Sequence, residues 1–160
     1  MVRMTTNPPA VADERRLTVR RTIHIEAPIE KVWSAVTEPE YISRWFGQTA
    51  LDDHGPGATG TVTFTDRTPM PVRVEELEPP TTVSYRWCNE EEDARVPTEL
   101  DEKHSTVFTF TLQTVDDGTE LTVVETGFET TSDPVVNLRA HRSGWESELD
   151  KLVALLEDAS

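Results

Sequence analysis

The sequence predicts an α+β fold in which a curved antiparallel sheet packs against one long C-terminal helix. Two patterns indicate this fold. Between residues 61 and 126, apolar and polar residues alternate and short turns join the successive runs, which favours antiparallel strands. After Asp133, apolar residues recur at steps of three and four, which is helical spacing. A chain of 160 residues has the length of a single domain.

The N-terminal part of this domain is predicted to contain one strand and two short helices. Residues 17–26 alternate as a strand, and Ala27-Pro28 ends it. The next apolar residues follow helical spacing: Ile29, Val32, Trp33 and Val36.

A second short helix is predicted over residues 40–46. It buries Ile42 and either Trp45 or Phe46, and it ends at Gly47. Residues 1–16 precede any periodic segment and contain Asn7-Pro8-Pro9, so they are predicted to be a flexible tail before a single domain at residues 17–158.

The middle of the chain supplies the rest of the sheet. Strands are predicted over residues 61–65 and 72–77, around Tyr85, around Phe110 and at 121–123, and Asp116-Asp117-Gly118 marks a hairpin turn. Residues 89–104 interrupt this rhythm with many acidic side chains, so they are predicted to form a mobile loop.

The final helix carries one apolar stripe. Its members are Leu138, His141, Trp145, Leu149, Leu152 and Leu156. Gly144 lies inside the helix, where glycine costs roughly 1 kcal/mol relative to alanine, so a close backbone approach is predicted there. Such a helix suits a lid over a concave sheet.

The composition excludes several classes of function. The formal net charge of −15 argues against binding to nucleic acid and to anionic membranes. Cys88 is the single cysteine, so no intramolecular disulfide can form. No secretory signal and no membrane-spanning run is visible, and a cytoplasmic location is predicted.

Several segments, in order, resemble the heat-shock protein 90 ATPase activator homologue family, within the START-like, helix-grip (SRPBCC) superfamily. They are residues 27–33 (APIEKVW), 37–40 with 44–47 (TEPE, RWFG), 118–123 (GTELTV) and 141–145 (HRSGW) with Leu149 and Leu152. The resemblance covers residues 17–157. It implies a curved antiparallel sheet that grips the C-terminal helix, with a cavity between them.

The family includes ligand binders, stress proteins and ring-cyclising relatives, so the resemblance leaves the function open. Two segments depart from the family pattern. Residues 57–61 read GATGT where many relatives have adjacent glycines and an arginine, and the acidic loop at 89–104 is longer than usual.

The predicted cavity lining consists of inward-facing aromatic residues and one histidine. These candidate ligand-binding residues are Phe64, Tyr85, Trp87, Phe108, Phe110, His141 and Trp145. Aromatic residues on an inner face serve equally often as core, so both interpretations stay open.

Two ionisable residues are candidates for acid–base chemistry. His141 is interpreted either as a ligand contact or acid–base group, or, as the favoured alternative, as a helix histidine whose hydrogen bond goes to a nearby carboxylate or carbonyl. Glu125 is a catalytic candidate if it stays in phase with Leu121 and Val123, but a strand-end glutamate that reaches water is the favoured interpretation. Cys88 has no histidine beside it in sequence and is interpreted as an inert thiol.

Three functions follow from these residues. The leading hypothesis is a non-catalytic binder of a small hydrophobic or aromatic ligand. The second is a cyclase- or hydrolase-like enzyme acting on an aromatic or polyketide-type molecule, for which His141 and Glu125 are the nominated pair. The third is a co-chaperone-like protein-interaction module. No cofactor and no metal are predicted, since the sequence has no phosphate loop, no dinucleotide fingerprint and no paired histidines at helical spacing.

Overall fold

The computed structural model describes residues 7–65, 68–88 and 100–158. Eight strands form one antiparallel sheet: β1 (Val11–Asp13), β2 (Thr18–Ile25), β3 (Gln48–Leu51), β4 (Thr59–Thr63), β5 (Met70–Glu78), β6 (Thr82–Trp87), β7 (Thr106–Val115) and β8 (Gly118–Thr126). The helices are α1 (Ile29–Thr37), α2 (Pro39–Ile42) and α3 (Pro134–Asp158), with a 3-10 turn at Phe128–Thr130. The predicted α+β helix-grip class is confirmed.

The sheet order is β1-β2-β8-β7-β6-β5-β4-β3, so β2, the first strand that the sequence predicts, pairs with the last strand. Strands β7 and β8 are joined by the predicted Asp116-Asp117 turn, with Val115 opposite Gly118. The strands alternate: Phe108, Phe110 and Leu112 of β7 are buried on the inner face. This inner face packs against α3.

Helix α3 begins where the sequence predicts. The Asp133 carboxylate accepts the backbone N–H of Val136 (3.3 Å), and the Asp133 carbonyl accepts that of Asn137. Leu138, Trp145 and Leu149 are buried along its apolar stripe. The predicted close backbone approach at Gly144 is wrong: a Cβ atom added there would meet no described atom within 4 Å.

The N-terminal segment differs from the predicted flexible tail at 1–16. Residues 1–6 lie outside the described residues, but Val11–Asp13 pair with β2 as an edge strand. The side-chain oxygen of Asn7 accepts the backbone N–H of His24 (2.8 Å), and the side-chain nitrogen of Asn7 donates to the His24 carbonyl (3.2 Å). Ala10 is buried, and its N–H donates to the Glu146 carboxylate (3.0 Å). These contacts come from distant residues, which explains why no local pattern predicts them.

Two predicted elements end earlier than expected, and the structure adds one strand. The second helix ends at Ile42 instead of residue 46, because the chain continues in turns through Phe46. Strand β4 ends at Thr63, so Phe64 follows the strand instead of lying within it. Strand β3 is an edge strand that the sequence does not predict.

Most of the predicted acidic loop at 89–104 lies outside the described residues. Of this loop, only residues 100–104 are described. Among the described residues, no helix combines the length and apolar character that a membrane span needs.

Candidate functional site

A fully buried carboxylate lies between the sheet and α3. Glu125, near the end of β8, keeps the inward phase of Leu121 and Val123 and is 0% exposed. Four side chains donate hydrogen bonds to its two oxygens: Trp145 Nε1 (2.8 Å) and His141 Nδ1 (2.8 Å) to Oε1, and Trp87 Nε1 (2.9 Å) and Thr106 Oγ1 (2.6 Å) to Oε2. Glu125 therefore links β6, β7 and α3 to β8.

The donors indicate that Glu125 is ionised. Indole nitrogens can only donate, and an ionised carboxylate is the matching acceptor. Burial raises the pKa of Glu125, but the His141 charge and the hydrogen bonds outweigh burial, so the pKa lies below its ordinary value. His141 Nδ1 consequently carries a proton that it donates to the carboxylate.

This arrangement decides between the interpretations of Glu125 and His141. The favoured interpretation of Glu125, a strand-end group that reaches water, is wrong, because the residue stays in the inward phase of β8. His141 has a carboxylate partner, one of the two kinds of partner that its favoured interpretation allows. Thr106 was not anticipated, although it lies in phase with Phe108 and Phe110 and could have been found by the same alternation.

The predicted lining residues do meet in one aromatic cluster. Tyr85, Trp87, Phe108, Phe110 and Trp145 are buried, and Phe64 is partly buried at the edge of the cluster. The Trp87 and Phe108 rings lie 4.9 Å apart, and the Phe108 and Trp145 rings 5.1 Å apart. His141 packs edge-on against Trp87 (5.8 Å).

Phe46 is the member that the sequence analysis left undecided. Its ring stacks on Trp145 (5.6 Å between centroids, 10° between planes) and on Trp87 (5.5 Å, 27°). It also lies 5.1 Å from the Phe64 ring. Phe46 is only partly buried, whereas its neighbour Trp45 is 2% exposed. Phe46 therefore covers the two indoles that Glu125 holds.

Among the described residues, a small cavity adjoins the aromatic cluster. It has a volume of about 20 Å³ and is lined by Phe46, Tyr85, Phe108, Phe110 and other, mostly apolar, side chains of the sheet, of α1 and of the segment after α1, with none from α3. One water needs about 10–15 Å³ by this kind of measure. Small-molecule pockets typically have roughly 300–1,000 Å³. The cavity in this conformation thus has room for about one water.

Two hydrogen bonds fasten α1 to the edge of the cluster. Tyr85 donates its hydroxyl to the Val36 carbonyl (2.6 Å), and Trp45 donates its indole N–H to the Ala35 carbonyl (2.8 Å). Burial raises the pKa of Tyr85, so its hydroxyl stays a donor. These contacts position the chain that carries Phe46.

Arg21 fixes α3 against β2. Although cationic, it shares the inner face with Ile23 and is 4% exposed. Its guanidinium donates to the Pro8 carbonyl (2.8 Å), the Glu146 carbonyl (3.0 Å) and the Asp150 carboxylate (2.8 Å). Its inward phase was visible in the sequence, but its partners were not.

The structure also brings together His24, Glu26 and Asp117, whose potential ligand atoms all lie within 4.8 Å of one another. Both carboxylates are exposed. His24 Nε2 lies 3.3 Å from Asp117 Oδ1, and exposed acidic groups of this kind are common without a metal ion. Cys88 is buried and forms no disulfide.

The model of the Activator of Hsp90 ATPase homolog 1-like protein family matches residues 26–157. The chain belongs to this family. The resemblance on which the sequence analysis relied is thereby confirmed. The family match begins at the end of β2 and extends almost to the end of α3, so it includes Glu125, His141 and the whole aromatic cluster. No curated protein sequence matches the chain.

Solved structures of similar fold agree with this family. MLL2253 from Mesorhizobium loti is 27% identical, with a TM-score of 0.73 over 89% of this chain and 98% of that one. DynU16, a protein of the dynemicin biosynthetic locus, is 25% identical with a TM-score of 0.69; this chain covers 48% of its length. The Aha1 dimer from Colwellia psychrerythraea has 22% identity and a TM-score of 0.65, over 88% of this chain and 96% of that one. At that identity the likeness shows the fold alone.

Proposed function

We propose that the protein binds a small, mostly apolar aromatic molecule between the sheet and α3, in the space that Phe46 occupies. The observation that carries this proposal is the Phe46 ring itself. It is partly buried, stacks on the buried Trp87 and Trp145, and follows α2 in a segment of turns. A side chain on such a segment moves at lower cost than one on a helix or strand.

The rigid part of the proposed site is the pair of indoles. Both Trp87 and Trp145 donate to the same buried carboxylate, Glu125, at 2.9 and 2.8 Å. Their ring faces are therefore fixed before any ligand arrives. Preorganised walls reduce the entropy that binding costs, and a planar ring that replaces Phe46 regains its stacking contacts.

The small remaining volume makes displacement of Phe46 a requirement of the proposal. A cavity of about 20 Å³ admits no aromatic ring. When Phe46 turns outward, its own ring volume joins the cavity, and the cluster next to Phe64 opens to solvent. The ligand class that fits is a neutral planar ring, because the walls are apolar and the chain carries a net charge of −15.

The two other hypotheses have less support. For an enzyme, Glu125 and His141 do lie within hydrogen-bond distance. The carboxylate, however, already accepts four donors, two of which are the indole N–H groups of the proposed site. For a co-chaperone-like module, an exposed apolar or charged patch outside the cavity is needed. Among the described residues, Val11 is the one large hydrophobic side chain that is exposed. The place of DynU16 in a biosynthetic locus also favours a small molecule as partner.

The test compares two truncations to alanine, one inside the proposed site and one outside it. Phe46→Ala removes the ring that covers the indoles. Leu112→Ala removes a buried side chain of β7, two residues beyond Phe110. We expect 2-naphthol to bind Phe46→Ala about tenfold more tightly than wild type, since the ligand no longer competes with a stacked ring. Leu112→Ala should bind it as wild type does.

The readout is the indole N–H resonances of Trp87 and Trp145 in a two-dimensional NMR titration, which place the ligand directly. Adenosine monophosphate serves as the polyanionic comparison, and it should leave both resonances unmoved. If 2-naphthol moves neither resonance in wild type or in Phe46→Ala, the proposed site is wrong.

A further inference from the structure

A second groove lies outside the aromatic cavity, and we propose that it binds organic cations, small molecules that join an apolar body to an ammonium group. The groove runs between the C-terminal end of α1 and strands β5 and β6, with a volume of about 160 Å³. It is open in this conformation, and the proposal does not depend on the function proposed for the cavity.

The floor of the groove is apolar. Val74 and Val83 are buried beneath it, and Trp33, Leu51 and Leu77 are partly buried around it; all five line the groove. Burying a ring or short alkyl chain on such a floor contributes about 25 cal/mol per Å² of apolar surface removed from water.

Tyr85 also lines the groove. Its hydroxyl donates to the Val36 carbonyl over 2.6 Å, and burial raises its pKa. The floor therefore offers no anionic phenolate and no hydroxyl that needs a ligand partner. The polar part of the ligand must consequently be recognised at the rim.

The rim is negatively charged. Glu38 and Asp53 line the groove with exposed carboxylates, and His54 lies beside them. Among the described lining residues of the groove there is no lysine or arginine. An ammonium group on a molecule whose apolar part lies on the floor is thus attracted by two carboxylates, whereas a carboxylate in that place is repelled.

The surface next to the groove is also negatively charged. A wider groove of about 440 Å³ continues past Glu38 and His54, and it adds Glu40 and Arg44. The Arg44 guanidinium lies over the Tyr41 ring, 5.5 Å from its centroid, and keeps its charge. The two carboxylates of Glu38 and Glu40 outnumber this one cation. The chain as a whole, at −15, further favours the approach of cations.

The groove and the internal cavity are separate sites with a common wall. Leu51 and Tyr85 line both, whereas Trp33 lines only the groove and Trp45 only the cavity. The tryptophans therefore report the location of a ligand: Trp33 for the groove, and Trp87 and Trp145 for the aromatic cluster.

The experiment titrates the folded protein with three matched probes: 3-phenylpropylamine, 3-phenylpropanol and 3-phenylpropanoate. At neutral pH these are a cation, a neutral molecule and an anion, each with a phenyl ring on a three-carbon chain. We expect the amine to move the indole N–H resonance of Trp33 at the lowest concentration, the alcohol to bind more weakly and the propanoate to leave it unmoved.

Charge-removing variants then test the rim. Glu38→Gln and Asp53→Asn should each weaken amine binding about threefold, the size expected for an exposed ion pair, and should leave alcohol binding unchanged. Glu120→Gln is the matched control, an exposed carboxylate on β8 whose loss should change nothing. All three variants keep buried residues intact.

Two results would overturn the proposal. Equal affinity for the amine and the alcohol, with no effect of Glu38→Gln or Asp53→Asn, would show that the rim does not select charge. Movement of Trp87 and Trp145 without Trp33 would place the probe in the cavity, which would support the cavity proposal and reject the groove. If 2-naphthol does not bind at the cavity, the cavity proposal is rejected and the groove proposal is unaffected.

Discussion

The carboxylate of Glu125 and the ring of His141 lie 2.8 Å apart in a place closed to solvent, and together they join the last strand to the C-terminal helix. The same carboxylate also accepts both cluster indoles. One buried acidic residue thus positions the aromatic walls on which the proposed ligand site depends.

Removing this charge should destabilise the fold. Glu125→Gln keeps the shape of the side chain but turns one acceptor oxygen into a donor that faces other donors. We expect a loss of about 3–5 kcal/mol in the free energy of unfolding, as for a broken buried ion pair. Chemical denaturation measures it, with Glu120→Gln as the exposed control. A loss below about 1 kcal/mol would contradict the network.

The same pair should make stability depend on acid pH. Because the pKa of Glu125 is lowered in the folded protein, the unfolded chain binds the proton more readily. The stabilisation is complete above the ordinary glutamate pKa of about 4.3 and disappears as pH falls through the lowered value.

The quantity to measure is the difference in unfolding free energy between wild type and Glu125→Gln, which removes the contribution of the other acids. This difference should shrink as the pH is lowered from about 5 towards 2. A difference that stays constant over that range would reject an ionised Glu125.

Arg21 offers a test of how α3 is held. Arg21→Met keeps the length of the side chain but removes the donors to Pro8, Glu146 and Asp150. We expect a loss of about 1–3 kcal/mol, since buried carbonyls lose a charged donor. Amide exchange should speed up in residues 7–13 and around Glu146. Arg20→Met, on the exposed side of β2, is the control and should cost little.

Gly144 should tolerate a side chain. Gly144→Ala adds a Cβ atom that meets no described atom within 4 Å, so the helix propensity of alanine should stabilise the protein by about 1 kcal/mol. Gly60→Ala is the contrasting variant, because its Cβ would lie 1.8 Å from the Ala50 carbonyl oxygen. Thermal denaturation of both measures the difference; a destabilised Gly144→Ala would restore the close-approach hypothesis.

Substitutions of Trp145 separate the stability that its ring stacking contributes from the stability that its hydrogen bond contributes. Trp145→Phe keeps a ring against Phe46 and Phe108 but leaves one oxygen of Glu125 without its indole donor. We expect a loss of about 1–3 kcal/mol, and a larger loss of about 3–5 kcal/mol for Trp145→Ala, which also empties the ring volume. Equal losses in denaturation experiments would show that the ring itself contributes nothing.

The sequence alone determined the elements with strong periodicity. The alternation of Phe108, Phe110 and Leu112 identified β7 and its buried face, and the stripe through Leu138 and Trp145 identified α3. These patterns are visible because each residue's burial follows from its own element. They also placed Tyr85, Trp87 and Trp145 on a common inner face, although whether those residues bind a ligand stays a prediction.

Only the tertiary structure decided what lies across the elements. Edge strand β1 forms because Asn7 and Ala10 find partners in β2 and α3, which no short pattern in residues 7–16 encodes. Glu125 is buried because Trp87, Thr106, His141 and Trp145 converge on it from three other elements. Phe46 covers the two indole rings from a turn without periodicity. A sequence pattern reports the local period of the backbone, whereas the burial of a charge or the filling of a cavity depends on side chains that approach from elsewhere in the fold.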